Sequence, residues 1–231
     1  MSRTTGGKRL EEWARTKGVT VAVRLHELLD PARTALVTCE CQNGVLGDTA
    51  VFPALAQAAR EVQLVEHIGR LAAAARTAAV PVLHCTALRR ADGRGAAGNA
   101  RLFAAAARAA VPMTPGSDAA ALHPGIGADP DRDLVLPRLH GLGPFQDTGL
   151  DSVLRNLGTR TVVCVGVSLN VALLELVLGA VDAGLQAVVP RDAVAGTPPE
   201  YADAVLQHTL ALVATVTDTG TVADCWAPNQ N

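Results

Sequence analysis

Short apolar runs alternate along the chain with longer stretches in which apolar residues recur at helical spacing. The runs predict strands of a parallel sheet, because a strand that is covered on both faces is apolar without alternation. The clearest run is Thr161-Val-Val-Cys-Val-Gly-Val167. Five such strands are expected, at 35–37, 81–86, 133–137, 161–167 and 186–190, and residues 214–222 can add a short edge strand.

The stretches between these runs carry apolar residues every three or four positions, which is typical of helices. The longest begins at Pro53, a residue favoured in the first helical turn, and extends to Ala79. Further helices are predicted at 99–110, 148–157, 170–183 and 198–213, and a short one at 8–17. Strands that alternate with helices predict an α/β, three-layer, doubly wound fold with helices on both faces of the sheet. We expect one domain over 33–231, preceded by an N-terminal extension over 1–32.

Composition and charge narrow the class of protein. The 231 residues are 49% hydrophobic but only 3% aromatic, which predicts a core of Ala, Val and Leu and argues against disorder. A formal net charge of −2 argues against nucleic acid and anionic membranes as partners. The five cysteines form no CxxC pair, and the chain has neither an apolar leader nor an uninterrupted apolar run of membrane-spanning length. We therefore expect a cytoplasmic protein with reduced cysteines.

Polar residues follow the predicted strands at their carboxyl ends, where open α/β sheets bind ligands. Glu40 is the acid that follows the first strand, although a carboxylate that only braces its loop would look the same in the sequence. The turn after the fourth strand begins a helix, and helix N-termini suit carboxylates and oxyanions. The candidates are Glu40, Arg138 and His140 for catalysis, and Gln42, Asn43, Arg89, Arg90, Ser168, Asn170 and Ala172 for substrate binding.

Other polar residues leave alternatives open. The Gly-rich loop after the second strand contains Arg89 and Arg90, which either clamp an anionic substrate or keep a solvated loop soluble. His84, a lone histidine among apolar residues, is expected to be a hydrogen-bonded core residue, whereas His140 is as suited to catalysis or binding as to a structural role. Metal-ligand spacings and the GxGxxG and Walker motifs are missing from the sequence, so we expect no metal and no cofactor.

Four segments together resemble the isochorismatase-like, or cysteine hydrolase, superfamily. They are Thr34-Ala-Leu-Val-Thr-Cys-Glu-Cys-Gln-Asn43, Phe145-Gln-Asp-Thr-Gly-Leu150, Gly166-Val-Ser-Leu-Asn-Val-Ala172 and Asp182-Ala-Gly-Leu-Gln-Ala-Val-Val-Pro-Arg-Asp-Ala193. The resemblance covers residues 33 to 222. It implies a six-stranded, mostly parallel sheet, frequent homo-oligomers, and a cis peptide bond at or next to Val167-Ser168.

The same resemblance locates the Asp, Lys and Cys that form the catalytic triad of the family's amidases. The Asp position falls on Glu40, the Lys position on Leu139 and the Cys position on Ala172. A methyl group cannot attack a carbonyl, so the resemblance implies no covalent thioester at Ala172. A cation could come instead from Arg138 or His140, which flank Leu139.

Loss of the Cys does not by itself imply loss of activity, because the isochorismate-cleaving members of the family lack it too and use protonation and water attack. By resemblance we expect a divergent hydrolase that acts on a small anionic metabolite by acid–base chemistry, without a covalent cysteine intermediate. Glu40 buried among apolar groups would suit a general acid, whereas Glu40 facing Arg138 would remain a charged base or binding group. The alternatives are an inactive member that binds a small ligand or a protein partner, and a structural oligomerising subunit.

Overall fold

Six parallel strands form the sheet of this protein, whose computed structural model describes residues 25–228. They are β1 Thr34–Cys39, β2 Val82–Ala87, β3 Leu134–Arg138, β4 Thr161–Gly166, β5 Gln186–Pro190 and β6 Thr215–Thr217. Their order across the sheet is β3-β2-β1-β4-β5-β6, and each neighbouring pair is parallel. The predicted six-stranded α/β fold is confirmed. The predicted helix at 8–17 lies outside the described residues.

Helices cover both faces of the sheet. They are α1 Leu25–Leu28, α2 Asn43–Leu46, α3 Pro53–Glu61, α4 Leu64–Thr77, α5 Arg101–Ala106, α6 Leu150–Asn156, α7 Ala172–Asp182, α8 Pro199–Val205, α9 Ala211–Val213 and α10 Thr219–Trp226, with a π-helical turn Leu206–Leu210 between α8 and α9. One core lies between the sheet and α3, α4 and α10, and a second lies between the sheet and α6, α7 and α8. Within residues 25–228, no helix has the length and apolar character needed to span a membrane.

Strand β1 lies near the middle of the sheet, and all six of its residues are buried. Successive side chains of a strand point to opposite faces. Leu36 accordingly joins the core beneath α4, whereas Ala35 and Val37 join the core beneath α7. Because both faces are covered, both sets of positions must be apolar, and this requirement produces the unbroken apolar run in the sequence.

The long helix predicted from Pro53 to Ala79 is in fact two helices. Helix α3 ends at Glu61 and α4 begins at Leu64, and between them Gln63 adopts a left-handed conformation with φ of 52°. The apolar spacing continues across this break because both helices bury residues in the same core. Hydrophobic periodicity therefore could not reveal the break.

The C-terminal segment differs from its prediction as well. The edge strand expected at 214–222 is limited to β6, and α10 follows it. The carboxylate of Asp218 accepts a hydrogen bond from the backbone N–H of Thr221 at 2.8 Å, which caps the start of α10. Val222 and Trp226 then bury one side of the helix against the core beneath α4.

A buried chain of polar side chains joins β1, β2 and α4 to the start of β3. Thr38 Oγ1 lies 2.8 Å from His84 Nδ1, and His84 Nε2 lies 3.0 Å from Asp133 Oδ2. The guanidinium of Arg76 donates to both carboxylate oxygens of Asp133, at 2.9 and 2.6 Å. His84 is therefore a hydrogen-bonded core residue, as predicted. The chain also anchors the edge strand β3, which ends at Arg138.

The direction of strand addition reverses between β1 and β4. From β1 the sheet grows through β2 to β3 at one edge, and from β4 it grows through β5 to β6 at the other. A reversal of this kind leaves a crevice beyond the carboxyl ends of the two strands, where ligands bind in open α/β sheets. Glu40 follows β1 directly, so the fold places it at this crevice.

Candidate active site

A cavity of about 430 Å³ lies at the carboxyl ends of β1 and β4. Its volume falls within the range of about 300–1,000 Å³ that is typical of small-molecule sites. The polar and charged residues in its lining are Glu40, Arg89, Arg138, His140, Ser168, Asn170 and Thr197. Apolar side chains form most of the remaining wall, among them Val45, Phe52, Leu55, Leu102, Phe103 and Met113.

The central feature of the cavity is an ion pair between Glu40 and Arg138. Arg138 Nη2 donates to Glu40 Oε1 and also lies 3.3 Å from the carbonyl oxygen of Leu142. Arg138 is only 7% exposed. Burial by itself lowers the pKa of a guanidinium, but the negative charge of Glu40, its hydrogen bond and the neighbouring thiols together raise the pKa of Arg138. A buried cation is stabilised only when it is paired, so the pair is a precondition for placing arginine here.

Backbone geometry directs Glu40 out of the sheet. Glu40 has φ of 53°, a left-handed conformation that is uncommon for residues other than glycine, and its N–H donates to the carbonyl of Cys85 at 2.9 Å. On the neighbouring strand Gly166 has φ of 112°, and a Cβ there would lie 2.3 Å from the carbonyl oxygen of Cys39. Only glycine permits the end of β4 to approach β1 so closely. The chain therefore turns immediately after Cys39, and Glu40 lines the cavity.

The loop after β3 contributes Leu139, His140 and Leu142 to the cavity. His140 is exposed, and Leu139 is 41% exposed. Glu175 of α7 holds the far end of this loop, because its carboxylate accepts hydrogen bonds from the backbone N–H groups of Phe145 and Gln146 at 3.1 and 3.0 Å. The loop that follows Arg138 and carries His140 is thus tied to α7.

The turn between β4 and α7 supplies Ser168, Asn170 and Ala172 to the lining. The Val167-Ser168 peptide bond is cis, as the family resemblance implies. Asn170 Nδ2 donates to the carbonyl of Thr197 at 3.1 Å, and its buried Oδ1 accepts no hydrogen bond from the described part of the chain. Two backbone amides of this turn are not available to a ligand, because the N–H groups of Val171 and Leu173 already donate to the carbonyl of Ser168 at 3.0 Å.

Three predicted substrate-binding residues have other partners and do not line the cavity. The fully buried Gln42 donates to the carbonyls of Ala87 and Ala120 and accepts from the Ala87 N–H, at 2.8–3.0 Å. Asn43 donates to the carbonyl and carboxylate of Asp118. The exposed Arg90 pairs with Asp92 at 3.0 and 2.8 Å. The polar groups of Gln42, Asn43 and Arg90 therefore brace loops, and the structure does not bring them together with the residues that line the cavity.

Within the described part of the chain, no cysteine lines the cavity. Cys39, Cys41 and Cys85 lie near the carboxyl ends of β1 and β2, and each is at most 2% exposed. Burial raises the pKa of the Cys85 thiol to about 12 and raises the pKa of Cys39 and Cys41 as well. Such thiols are protonated and inert at neutral pH. Among residues 25–228, no cluster of three or more His, Cys, Asp or Glu side chains is arranged to hold a metal ion.

The apolar walls of the cavity were not part of the predicted site. Phe52 precedes α3, and Leu102 and Phe103 lie on α5, a helix without a fully buried residue. A signal was present in the sequence, since a Leu-Phe-Ala-Ala-Ala segment of a loop-rich region must cover an apolar surface. The sequence could not identify that surface as the wall of a cavity, because the contact depends on the course of the loop between β2 and β3.

Comparison with known proteins places this site in a family. The sequence model of the isochorismatase domain matches residues 34–221. Comparison with the curated proteins gives no match.

Among solved structures, an isochorismatase family protein from Burkholderia thailandensis is similar with a TM-score of 0.69 and 25% identity, over 84% of this chain and 96% of that chain. A cysteine hydrolase from Pseudomonas syringae pv. phaseolicola gives a TM-score of 0.73 and 22% identity, over 85% of this chain and 93% of that chain. An N-carbamoylsarcosine amidase from Thermoplasma acidophilum gives a TM-score of 0.63 and 21% identity, over 81% of this chain and 96% of that chain.

The sequence match spans every strand of the sheet and the turns that carry Glu40, Arg138 and Ala172. The solved structures share the fold over nearly their whole length. The chain therefore belongs to the isochorismatase domain family.

Proposed function

We propose that this protein hydrolyses a small anionic metabolite by acid–base chemistry, without a covalent cysteine intermediate, and that Glu40 is the catalytic base. One observation carries the proposal: the carboxylate of Glu40, paired with the buried Arg138, faces a cavity that no thiol lines. Ala172 occupies the position that corresponds to the family nucleophile. A nucleophile for hydrolysis must therefore come from water.

The contact with Arg138 favours the base over the acid role for Glu40. A cation within hydrogen-bond distance stabilises the charged form of a carboxylate. In the proposed reaction Glu40 removes a proton from a bound water while the water oxygen bonds to the electrophilic carbon of the substrate. The bond from that carbon to the leaving group then breaks, and the leaving group receives the proton from Glu40. A positioned general base contributes about 10²–10⁴-fold to a rate.

The remaining lining residues have roles that follow from their charge and position. Arg138 orients Glu40, and together with His140 at the exposed rim it stabilises negative charge that develops on the substrate. Asn170 and Ser168 lie at the start of α7 and contact the polar end of the substrate. Arg89 binds its anionic group by a charge-assisted hydrogen bond. Ala172 lines the same cavity and contributes no reactive atom.

A second function is favoured by a specific observation, the identity of the residues at the family's Lys and Cys positions. Leu139 and Ala172 supply neither charge nor nucleophile, and the acid that remains is already engaged by Arg138. A family member that has lost catalysis would keep such a cavity to bind a small ligand or a protein partner. Both functions require ligand binding, and they differ only in turnover.

A panel of small carboxylate-bearing esters, amides and enol ethers tests the proposal. Product formation would be followed by mass spectrometry, and the intact mass of the protein would be measured after rapid acid quenching. We expect turnover of at least one compound without any adduct on the protein. An acyl adduct would contradict the proposed water route. Ligands that raise the melting temperature of the protein while none is turned over would instead support the binding function.

A further inference from the structure

We infer that the ligand of this cavity is an amphipathic monocarboxylate, with one carboxylate held by Arg89 and an apolar body held against the cavity walls. The inference deepens the proposed function, because it concerns the same site, but it can be tested by binding alone. It depends on two features of the cavity, the chemistry of its walls and the balance of its charges.

The walls are apolar on the sides formed by α3, α5 and the segment that follows α5. Phe52 and Leu55 line one side, and Leu102, Phe103 and Met113 line another. Leu102 is 38% exposed although it is a large apolar side chain. Polar ligands such as sugars would lose hydration against these walls without gaining hydrogen bonds. An aliphatic or aryl body gains by the removal of apolar surface from water.

Three residues in the lining carry a full charge, and the net charge of the three is positive. Glu40 and Arg138 neutralise each other as an ion pair, and Arg89 remains. The guanidinium of Arg89 has no carboxylate partner within residues 25–228, in contrast to Arg90, whose guanidinium pairs with Asp92. With the imidazole of His140 counted as neutral, the cavity therefore has one uncompensated positive charge. This balance matches a ligand with a single negative charge.

The position of Glu40 limits the ligand to one carboxylate. A second carboxylate in the cavity would meet the negative charge of Glu40 rather than a free cation, because Arg138 is already paired with Glu40. The cavity volume of about 430 Å³ is in the lower half of the range for small-molecule sites, about 300–1,000 Å³, which argues against larger polyanions. The carboxylate is therefore expected at Arg89 and the apolar body between α3 and α5.

Binding of matched compounds to the full-length protein tests this inference. Isothermal titration calorimetry would compare octanoate and 3-phenylpropionate with their neutral carboxamides, and with the hydrophilic acids acetate and citrate. We expect the two amphipathic acids to bind about tenfold or more tightly than their amides, since the charge-assisted contact is lost in the amide. Equal affinity of acid and amide, or tighter binding of citrate, would overturn the inference.

Variants identify the residue responsible for the preference. Arg89→Gln should remove the preference for acid over amide, whereas Arg89→Lys, which keeps the charge, should retain part of it. Arg94→Gln is the matched control, because Arg94 is an exposed arginine of the same loop that does not line the cavity. An equal loss in Arg94→Gln would overturn the assignment to Arg89. Unchanged circular dichroism and melting temperature would show that each variant is folded.

The binding assay separates this inference from the proposed function. Acid-selective binding that depends on Arg89, without turnover of any panel compound, would support the ligand class and contradict the hydrolase. Turnover of neutral compounds with no preference for acids would support the hydrolase and contradict the ligand class.

Discussion

The substitution Asp133→Ala tests the buried polar chain that anchors β3. The side chain of Asp133 is 2% exposed, and its carboxylate accepts hydrogen bonds from Arg76, His84 and the backbone N–H of Asp129. A carboxylate can only accept, so His84 Nε2 donates to it and Nδ1 accepts from the hydroxyl of Thr38. Alanine would leave the guanidinium of Arg76 and the ring of His84 without their partner.

The expected loss of stability in Asp133→Ala follows from this geometry. Removal of one partner from a buried ion pair costs about 3–5 kcal/mol, because the other charge stays buried and uncompensated. Arg76 is 14% exposed at its side chain, which moderates its part of the cost, but His84 is fully buried and gains no contact with water. We therefore expect the free energy of unfolding to fall by about 3 kcal/mol, a large part of the roughly 5–15 kcal/mol of a typical domain.

Equilibrium unfolding in urea, followed by circular dichroism, would measure this loss. Asp131→Ala is the matched control, because Asp131 lies two residues away and is exposed. Its free energy of unfolding should stay within about 0.5 kcal/mol of the wild type. If Asp133→Ala also unfolded within about 0.5 kcal/mol of the wild type, the structural role of the chain from Thr38 to Arg76 would be refuted.

Further predictions concern pH and the loop after β3. Burial lowers the pKa of His84. Burial by itself raises the pKa of Asp133, but the hydrogen bonds from Arg76, the Asp129 N–H and His84 together with the charge of Arg76 lower it to about 2, so the folded state binds fewer protons than the unfolded chain. The free energy of unfolding should fall as the pH drops through the unfolded histidine value of about 6.5, and again below about 3.9; a constant value between pH 7.5 and pH 5 would contradict this. Gly179→Ala should lower stability by about 1–3 kcal/mol in urea unfolding, because its Cβ would lie 2.7 Å from the side chain of Phe145; a neutral effect would show that the loop yields freely.

The sequence predicted the architecture well because the central strands β1 and β4 are buried on both faces. Most of their positions must be apolar, and this requirement produces runs that can be recognised without an alignment. The meeting of Glu40 with Arg138 was also accessible, since the carboxyl ends of parallel strands share one edge of the sheet. The break at Gln63 was not, because helices on either side of it bury residues in the same core.

The sequence did not reveal the contacts that a side chain makes with a distant loop. Gln42 and Asn43 follow Glu40 directly, but their amides bind the segment around Asp118 and Ala120, some 75 residues further along the chain. Contacts between segments so far apart leave no periodic pattern in the sequence, so the sequence alone could not reveal them. Arg90 differs, because the nearby Asp92 was visible in the sequence as a local partner.

The substitution Glu40→Gln tests the central proposal most directly, because it keeps the size of the side chain and removes the base. For a substrate found with the compound panel, we predict that kcat falls about 10²–10⁴-fold while the protein remains folded by circular dichroism. Glu200→Gln, at an exposed position of α8, should leave kcat unchanged. A Glu40→Gln protein that turns over the substrate at the wild-type kcat would contradict the assignment of Glu40 as the catalytic base.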